Sequence, residues 1–515
     1  MDKVVASFAD AVSDIESGST VGIAGFGVIH GFPVQLIAAL RARERRGLTI
    51  VCNSLGRDPA HPNSIVRAGQ ASRLITSFSS RAGGVAGSAS GLSPVPIEVE
   101  LVPQGVLVER LRAVAAGMGA FYSPVAEDTV ITEGKERREF DGQTYVLESP
   151  LRLDYALIYA HKADRAGNVS FRGTSQNFGP SFAKGAKVVI IEADELVEVG
   201  EIAPGEVDLP GIFVDRVVKR ARKLEPLWRV PREAGEARTY LGRPGRSATE
   251  LTQRIAGLLP EGSYVNLGVG LPTMVSDHLE GRDVVLHAEN GVLGYGTRLS
   301  PGDADPDYYN AGAEPVSLRP GASVFDSTEA FEIARSGRLT AVILGAFQVD
   351  KRGSFANWTT PQMGGGAIGG AMDLLVQPGK LIIAMWHCER SGQPKIVNAC
   401  QYDVTGTGCV DLVVTDLAVI ERDGRGLVLR ECAPGFEPED IVKLTEAPLT
   451  VDLWPAPPSA SLPSPALLTM DAALGACGPA SPRRHRGRGA RRGRRPGRDC
   501  RGERGRGGRC GRGRG

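Results

Sequence analysis

At 515 residues the chain exceeds what one hydrophobic core supports, since single cores stop growing at roughly 250 to 300 residues, so two domains and a tail are expected. The net charge of +1 hides a split: residues 481–515 hold 15 Arg against only Asp499 and Glu503, a local +13, so the first 480 residues carry −12. That acidic body argues against nucleic-acid binding by the folded part, and without any run of about 18 apolar residues a membrane-spanning helix is excluded.

The N-terminus, Met-Asp-Lys-Val-Val-Ala-Ser-Phe-Ala-Asp, sets an acid beside its only early base and lacks a long apolar stretch, which argues against a signal peptide. Short apolar, β-branched runs then alternate with amphipathic segments: Thr20 to Ala24, Leu48 to Cys52, Lys187 to Glu192, Tyr264 to Leu267, Asp283 to His287, Thr340 to Leu344 and Lys380 to Trp386. Buried parallel strands joined by helices give this pattern. Two of the strands lead into similar loops, Gly25-Phe-Gly27 with Gly31-Phe-Pro33, and Gly268-Val-Gly270-Leu-Pro272, each with a proline where a helix should start.

The fold class read from this is α/β, as two related open α/β halves of residues 1–220 and 247–455. A polar linker at 221–246 joins them, and a low-complexity tail at 456–515 follows. The tail passes from Pro, Ala and Ser to Arg and Gly, a composition that cannot bury enough apolar surface to order itself. It is expected to be dispensable; RNA contact through its arginines is the alternative, although it lacks the Phe or Tyr that would stack on bases. Eight cysteines show no Cys-x-x-Cys pair and no zinc spacing with the seven histidines. They read as reduced thiols of a cytoplasmic protein, and no metal site is expected.

Chemistry concentrates in Val284-Val-Leu-His-Ala-Glu289-Asn290-Gly291-Val-Leu-Gly294-Tyr-Gly296, where a carboxylate ends an apolar strand and enters glycine-rich sequence. Such a carboxylate either starts a turn or acts as a nucleophile, and beyond the carboxyl ends of parallel strands it would lie where ligands settle. A dinucleotide is disfavoured there, because neither glycine loop reads G-x-G-x-x-G.

Many short stretches in one order carry a resemblance. In the first half they are Gly25-Phe-Gly27, Pro103-Gln104-Gly105 with Glu109-Arg110, Ala120-Phe121-Tyr122, Lys162 to Asn168, Asn177-Phe178 and Val197 to Pro204. In the second they are Asn266 to Pro272, Glu289 to Gly294, Asn310 to Gly312, Pro320 to Ser323, Ala356-Asn357-Trp358 and Gly369-Gly370-Ala371-Met372-Asp373. From about Val4 to Trp454 the chain resembles the family I CoA-transferases, whose fold is NagB/RpiA-like, and within them the fused, single-chain succinyl-CoA:3-oxoacid type. The resemblance implies that Glu289 is the nucleophile that becomes linked to CoA, with Gln104 and the backbone N–H groups of Gly369 and Gly370 as oxyanion donors. Gly25, Gly27, Asn266, Gly268, Gly270, Asn290, Gly291 and Gly294 are implied to bind acyl-CoA. Coenzyme A is then a substrate rather than a resident cofactor, small carboxylic acids are the other partners, and a homodimer or homotetramer is expected.

Departures from the pattern are Ala288 in place of Ser, His30 in a one-residue insertion read as a solvated loop histidine, Val114 and Ala115 in place of glycines, and Ser123 to Glu127 without glycines. They bear on which acid is used, so an acetate or other short-chain CoA-transferase, an acyl-CoA hydrolase on the same site, and a CoA-sensing module stand as alternatives.

Overall fold

All seven expected runs form strands, and their near-continuous burial shows why they lack polar alternation: each lies inside a sheet covered on both faces. The computed structural model describes residues 2–27, 30–56, 60–79, 93–221 and 235–455. The first half builds one sheet from β1 (Thr20–Ile23), β2 (Leu48–Ser54), β3 (Ala71–Phe78), β4 (Glu98–Leu101), β5 (Leu153–Asp164), β6 (Ala186–Val197) and β7 (Arg216–Lys219). Their order is β7-β6-β5-β1-β2-β3-β4, every neighbouring pair parallel, with the short strand Val169–Ser170 folded back on β5.

The second half contributes β8 (Ser263–Leu267), β9 (Val284–Ala288), β10 (Val292–Arg298), β11 (Val316–Val324), β12 (Ala341–Leu344), β13 (Leu381–Ala384), β14 (Leu412–Val414), β15 (Ala418–Asp423), β16 (Gly426–Cys432) and β17 (Leu449–Val451). They run β11-β10-β9-β8-β12-β13-β14-β15-β16-β17, a parallel centre from β9 to β14 flanked by antiparallel pairs, with β17 added parallel to β16 at the far edge. In both halves the chain builds outward from a central strand, β1 or β8, and then continues on its other side at β5 or β12. That reversal leaves a crevice at the carboxyl ends of the central strands. The β5 run Leu153-Asp-Tyr-Ala-Leu-Ile-Tyr-Ala-His-Lys-Ala-Asp escaped the apolar pattern because Asp154, His161 and Lys162 interrupt it.

Helices α1 (Val34–Ala42), α2 (Gln104–Ala115), α3 (Ala248–Ala256), α4 (Ser327–Arg335) and α5 (Ala371–Leu374) complete the parts that matter for the site. Pro33 stands at the start of α1, as its fixed φ favours, and Ser247 with Glu250 closes a capping box on α3. One apolar cluster belongs to both halves, joining Val106, Leu107 and Leu111 of α2 to Phe331, Ile368 and Met372, and Met1–Pro455 forms one compact unit.

The expected linker at 221–246 needs correcting over its described part. Thr239–Tyr240 pairs antiparallel with Arg243–Pro244, and the buried Tyr240 hydroxyl donates to Asp416 Oδ2 at 2.7 Å, so the second half already begins before Ser247. Residues 222–234 of that linker, and the Arg/Gly tail at 456–515 with its suggested nucleic-acid contact, lie outside the described residues.

Candidate active site

Glu289 follows β9 in a turn so tight that the Gly291 N–H donates to the Ala288 carbonyl at 3.0 Å before the chain returns antiparallel as β10. Gly291 sits at φ +100°, and a Cβ there would lie 1.9 Å from the Phe325 carbonyl oxygen, so no other residue closes this turn. The glycine-rich sequence is not all turn, however. Gly294 and Gly296 lie within β10; Gly294 rides a register shift against β11, where a Cβ would stand 3.1 Å from Ala322 Cα, and Gly296 faces Ser317. These two glycines let strands approach and present no open face to a ligand.

The Glu289 carboxylate is 7% exposed, and burial pushes its pKa up to about 7, with the nearby charge of Asp373 adding to the rise and the Asn266 side chain pulling the other way. Asn266 is fully buried at the end of β8, its Nδ2 3.0 Å from His287 Nδ1 and its side chain hydrogen-bonded to Glu289, so it holds these two side chains rather than lining a channel. His287 is held neutral by burial, its pKa near 4, and its ring stacks on Phe325. Asn290 donates from Nδ2 to the Tyr309 carbonyl at 2.7 Å, and the Tyr309 ring stacks on His30 with centroids 3.6 Å apart. Through Tyr309, then, the loop after β1 is tied to the turn that carries Glu289. His30 is not the solvated loop residue expected from sequence: stacked on Tyr309 it is only partly exposed, its Nε2 is shielded from water, and this desolvation lowers its pKa to about 3.

The remaining expected glycines divide by what faces them. A Cβ on Gly25 would strike the Phe32 ring at 2.4 Å, and one on Gly268 would meet Leu344 at 2.9 Å, so both are packing positions; Gly27 borders Ala313. Gly270 has nothing within 4 Å, and beside it Val269 is 48% exposed, which leaves this one loop open to a long thin ligand.

Helix α2 brings the second set of groups. Gln104 is its first residue, 1% exposed, its backbone N–H donating to the Gly369 carbonyl at 3.0 Å while the Gly105 N–H donates to Asp373 Oδ2 at 2.9 Å. Gly369, at φ +59°, and Gly370 precede α5 on a loop laid along the end of β3, where Ile368 N–H donates to the Ser77 carbonyl at 3.0 Å. Gln104 Oε1 lies 3.1 Å from where a Gly370 Cβ would stand, and the Gly370 N–H donates to no described residue. Helix α4 is the wall common to both sets: Phe331 packs against Gly105 and Gly370, while Phe325, just before the helix, covers Gly291 and the His287 ring.

Sequence reasoning did not single out Asn53, Glu109, Arg335 and Asp373, which the structure bonds to one another and to the candidate residues. Arg335 pairs with Glu109 at 2.6 Å and lies 3.8 Å from Asp373 Oδ1, while Asn53 Oδ1 accepts from Gln104 Nε2 at 2.8 Å. A signal for Asn53 existed: a polar residue ending a buried strand shortly before a glycine, the pattern that exposed Glu289. Here buried polar atoms without hydrogen-bond partners gather, Glu289 Oε2, Asn266 Oδ1, His287 Nε2, Gln104 Oε1 and Asn53 Nδ2 among them. Folded proteins pair nearly all such atoms, so their concentration marks a place built for polar groups of a substrate. Among the described residues no group of three or more His, Cys, Asp or Glu could hold a metal ion, and no helix is long and apolar enough to cross a membrane.

The departures also find their places. Ala288 turns its methyl into the apolar core of the second half, where a hydroxyl would need a partner. Val114 and Ala115 lie at the far end of α2, roughly 15 Å along the axis from Gln104 at about 1.5 Å per residue. Val125 and Ala126 are buried, and Ala126 offers its carbonyl to the Thr129 and Thr132 hydroxyls, so this altered segment is a packed turn.

Comparison with known proteins identifies the family and the fold. The sequence matches the Coenzyme A transferase family over residues 5–220 and 248–444. It is 36% identical over 467 residues to the mitochondrial succinyl-CoA:3-ketoacid coenzyme A transferase 2 of Homo sapiens, covering 86% of this chain and 89% of that protein. Separate proteins match each half, and both belong to the 3-oxoadipate CoA-transferase of Pseudomonas putida. One of its two subunits is 43% identical over 218 residues, 42% of this chain and 94% of its own. The other is 42% identical over 204 residues, 39% of this chain and 96% of its own. Among solved structures, the acyl-CoA transferase YdiF of Escherichia coli O157:H7 shares the fold with a TM-score of 0.70 at 19% identity, over 88% of this chain and 95% of that one. With the family matched across both halves and full-length relatives above a third identical, the chain belongs to the coenzyme A transferase family, as an enzyme that carries both subunit types in one polypeptide.

Proposed function

We propose that the protein moves CoA from succinyl-CoA to a 3-oxoacid such as acetoacetate, by a ping-pong route through a glutamyl-CoA thioester on Glu289. The observation that carries this reading is the buried Glu289 carboxylate with an unpartnered Oε2, set in a turn that only glycine closes and beside polar groups with bonds to spare. The 3-oxoacid choice is supported by the names of the relatives that cover most of the chain.

Each step conserves atoms and charge without a net proton. A Glu289 oxygen attacks the donor thioester carbonyl, the C–S bond breaks, and a mixed anhydride and CoA thiolate result. The thiolate then attacks the glutamyl carbonyl and expels the first acid as its carboxylate, leaving the Glu289–CoA thioester. A second carboxylate attacks that thioester, and the displaced thiolate attacks the new acyl carbonyl, which restores Glu289 and releases the new acyl-CoA. Every addition places negative charge on an oxygen, to be met by Gln104 and the Gly370 N–H; loss of one such donor typically costs roughly 100- to 1,000-fold in rate. The open face at Gly270 and Val269 fits the pantetheine arm, so that binding of the remote part of CoA is available to drive chemistry at sulfur.

Incubating the protein with succinyl-CoA or acetoacetyl-CoA alone, trapping with borohydride and mapping peptides by mass spectrometry is the test. Reduction at Glu289, absent from Glu289→Ala, is the expected result. If no short acyl-CoA modifies Glu289, the transferase mechanism fails.

A further inference from the structure

Two carboxamides at the heart of the site share a single hydrogen bond although they own several bonding groups. Gln104 Nε2 donates to Asn53 Oδ1 at 2.8 Å, and this arrangement leaves Asn53 Nδ2 and Gln104 Oε1 buried without partners. Both side chains are at most 1% exposed, so water from bulk does not make good the loss. The direction of the bond also opposes catalysis. Gln104 Oε1, an acceptor, is the atom 3.1 Å from the position of a Gly370 Cβ, and an oxyanion arriving beside the Gly370 N–H would meet a like partial charge.

Turning both amide planes by a half-turn resolves this. The pair then stays bonded in the opposite sense, Asn53 Nδ2 donating to Gln104 Oε1, at nearly unchanged shape, because the NH2 and oxygen ends of a carboxamide have almost the same size. Gln104 now presents N–H to the reacting carbonyl, and no buried Gln104 acceptor is left unpaired. An oxyanion favours this sense through a charge-assisted hydrogen bond. What makes the exchange possible is a partner able to donate and to accept from the same place, which a carboxamide does.

We propose that Asn53 is a positioning residue for CoA transfer: it holds Gln104 by an invertible amide pair and so lets Gln104 become an oxyanion donor when acyl substrate binds. Its mounting supports the role. Asn53 lies in β2, one strand from the central β1, and the Thr76 hydroxyl on neighbouring β3 donates to the Asn53 carbonyl at 3.0 Å, which fixes the backbone from which the amide turns. This inference rests on the oxyanion role given to Gln104 above.

A double-mutant cycle in the full-length protein separates the two. Gln104→Ala is expected to lower kcat roughly 100- to 1,000-fold. Asn53→Ala is expected to lower kcat at least about tenfold with KM for acyl-CoA changed less than about threefold, and to add less than about twofold in the Gln104→Ala background, because Asn53 acts only through Gln104. Unchanged kcat in Gln104→Ala overturns the oxyanion role itself. A full loss in Gln104→Ala with none in Asn53→Ala, or equal losses from Asn53→Ala in both backgrounds, overturns the role of Asn53 alone. Should Asn53→Ala fail to fold by circular dichroism, Asn53→Leu, which fills the space but neither donates nor accepts, replaces it in the same cycle with the same outcomes.

Discussion

A carboxylate proposed to attack at neutral pH gains from being held where water does not stabilise it, and Glu289 shows what such burial costs the fold. Burial raises its pKa from 4.5 to about 7, so its charged form is disfavoured in the folded state relative to the unfolded one. The sign follows: the penalty is absent below pH 4.5, grows as pH rises through the interval to 7, and is complete above it. A shift of that size corresponds to about 3 kcal/mol above pH 8. Glu289→Gln keeps the shape without the charge and is expected to be more stable than the wild type at pH 8 by up to this amount, with little difference at pH 4.5; urea melts at the two pH values check it. Formation of the trapped thioester should rise with pH toward a plateau above about 7, since only the carboxylate attacks. A plateau already reached at pH 5 would show that Glu289 is better solvated than its 7% exposure implies.

Among the elements, α2 matters most, because its first two N–H groups bond to the other half of the chain, at Gly369 and Asp373. That docking sets Gln104 beside Gly370. Asp373 is buried and its pKa is raised to about 6, held in place by the Gly105 N–H and by Arg335, which is itself paired with Glu109. Asp373→Asn keeps an acceptor for Gly105 and removes a negative charge that Glu289 feels, so the rise of thioester formation should move to lower pH with kcat largely retained. Asp373→Ala removes the acceptor as well, and is expected to cost about 2 kcal/mol of stability and roughly tenfold or more in kcat as Gln104 drifts. Equal pH profiles in Asp373→Asn and the wild type would refute the electrostatic coupling. None of this was legible from the residues in order. Pro103-Gln104-Gly105 and Gly369-Gly370 read as candidate oxyanion groups only through family resemblance, and nothing in their spacing reveals that residues 268 positions apart, Gly105 and Asp373, share a hydrogen bond. Glu289 stood out as a candidate for a local reason, since strand, carboxylate and glycine turn are consecutive, whereas Gly294 misled because a strand built on a register shift tolerates glycine as readily as a turn does.

At the scale of the whole molecule, the repeated strand, glycine loop and helix made the two α/β halves readable, and parallel strands buried on both faces made seven of them plain. The antiparallel pair of β15 and β16 and the long β5 were not, because charged residues interrupt their apolar runs. How firmly the halves hold together was also beyond the sequence. They share one apolar cluster that unites α2 with Phe331, Ile368 and Met372, and further seams run from Arg172 to Asp305 and Asp307, from the Thr174 N–H to the Asp307 carbonyl at 2.8 Å, and from the Ser327 N–H to the Asn177 carbonyl at 3.0 Å. Because the proposed site is divided, with Asn53 and Gln104 from one half and Glu289 and Gly370 from the other, the proposed activity requires these seams. If they suffice, the covalent connection between the halves is dispensable. Two chains expressed together, one ending at Ala221 and the other beginning at Gly235, are therefore expected to purify as a complex that keeps CoA-transfer activity within about tenfold of the intact protein, the difference reflecting the effective concentration that a tether supplies. The activity should fall on dilution toward the dissociation constant and return when the second chain is added in excess. Chains that fold separately by circular dichroism yet neither co-purify nor transfer CoA would show that the connection, rather than the shared core, keeps the divided site assembled.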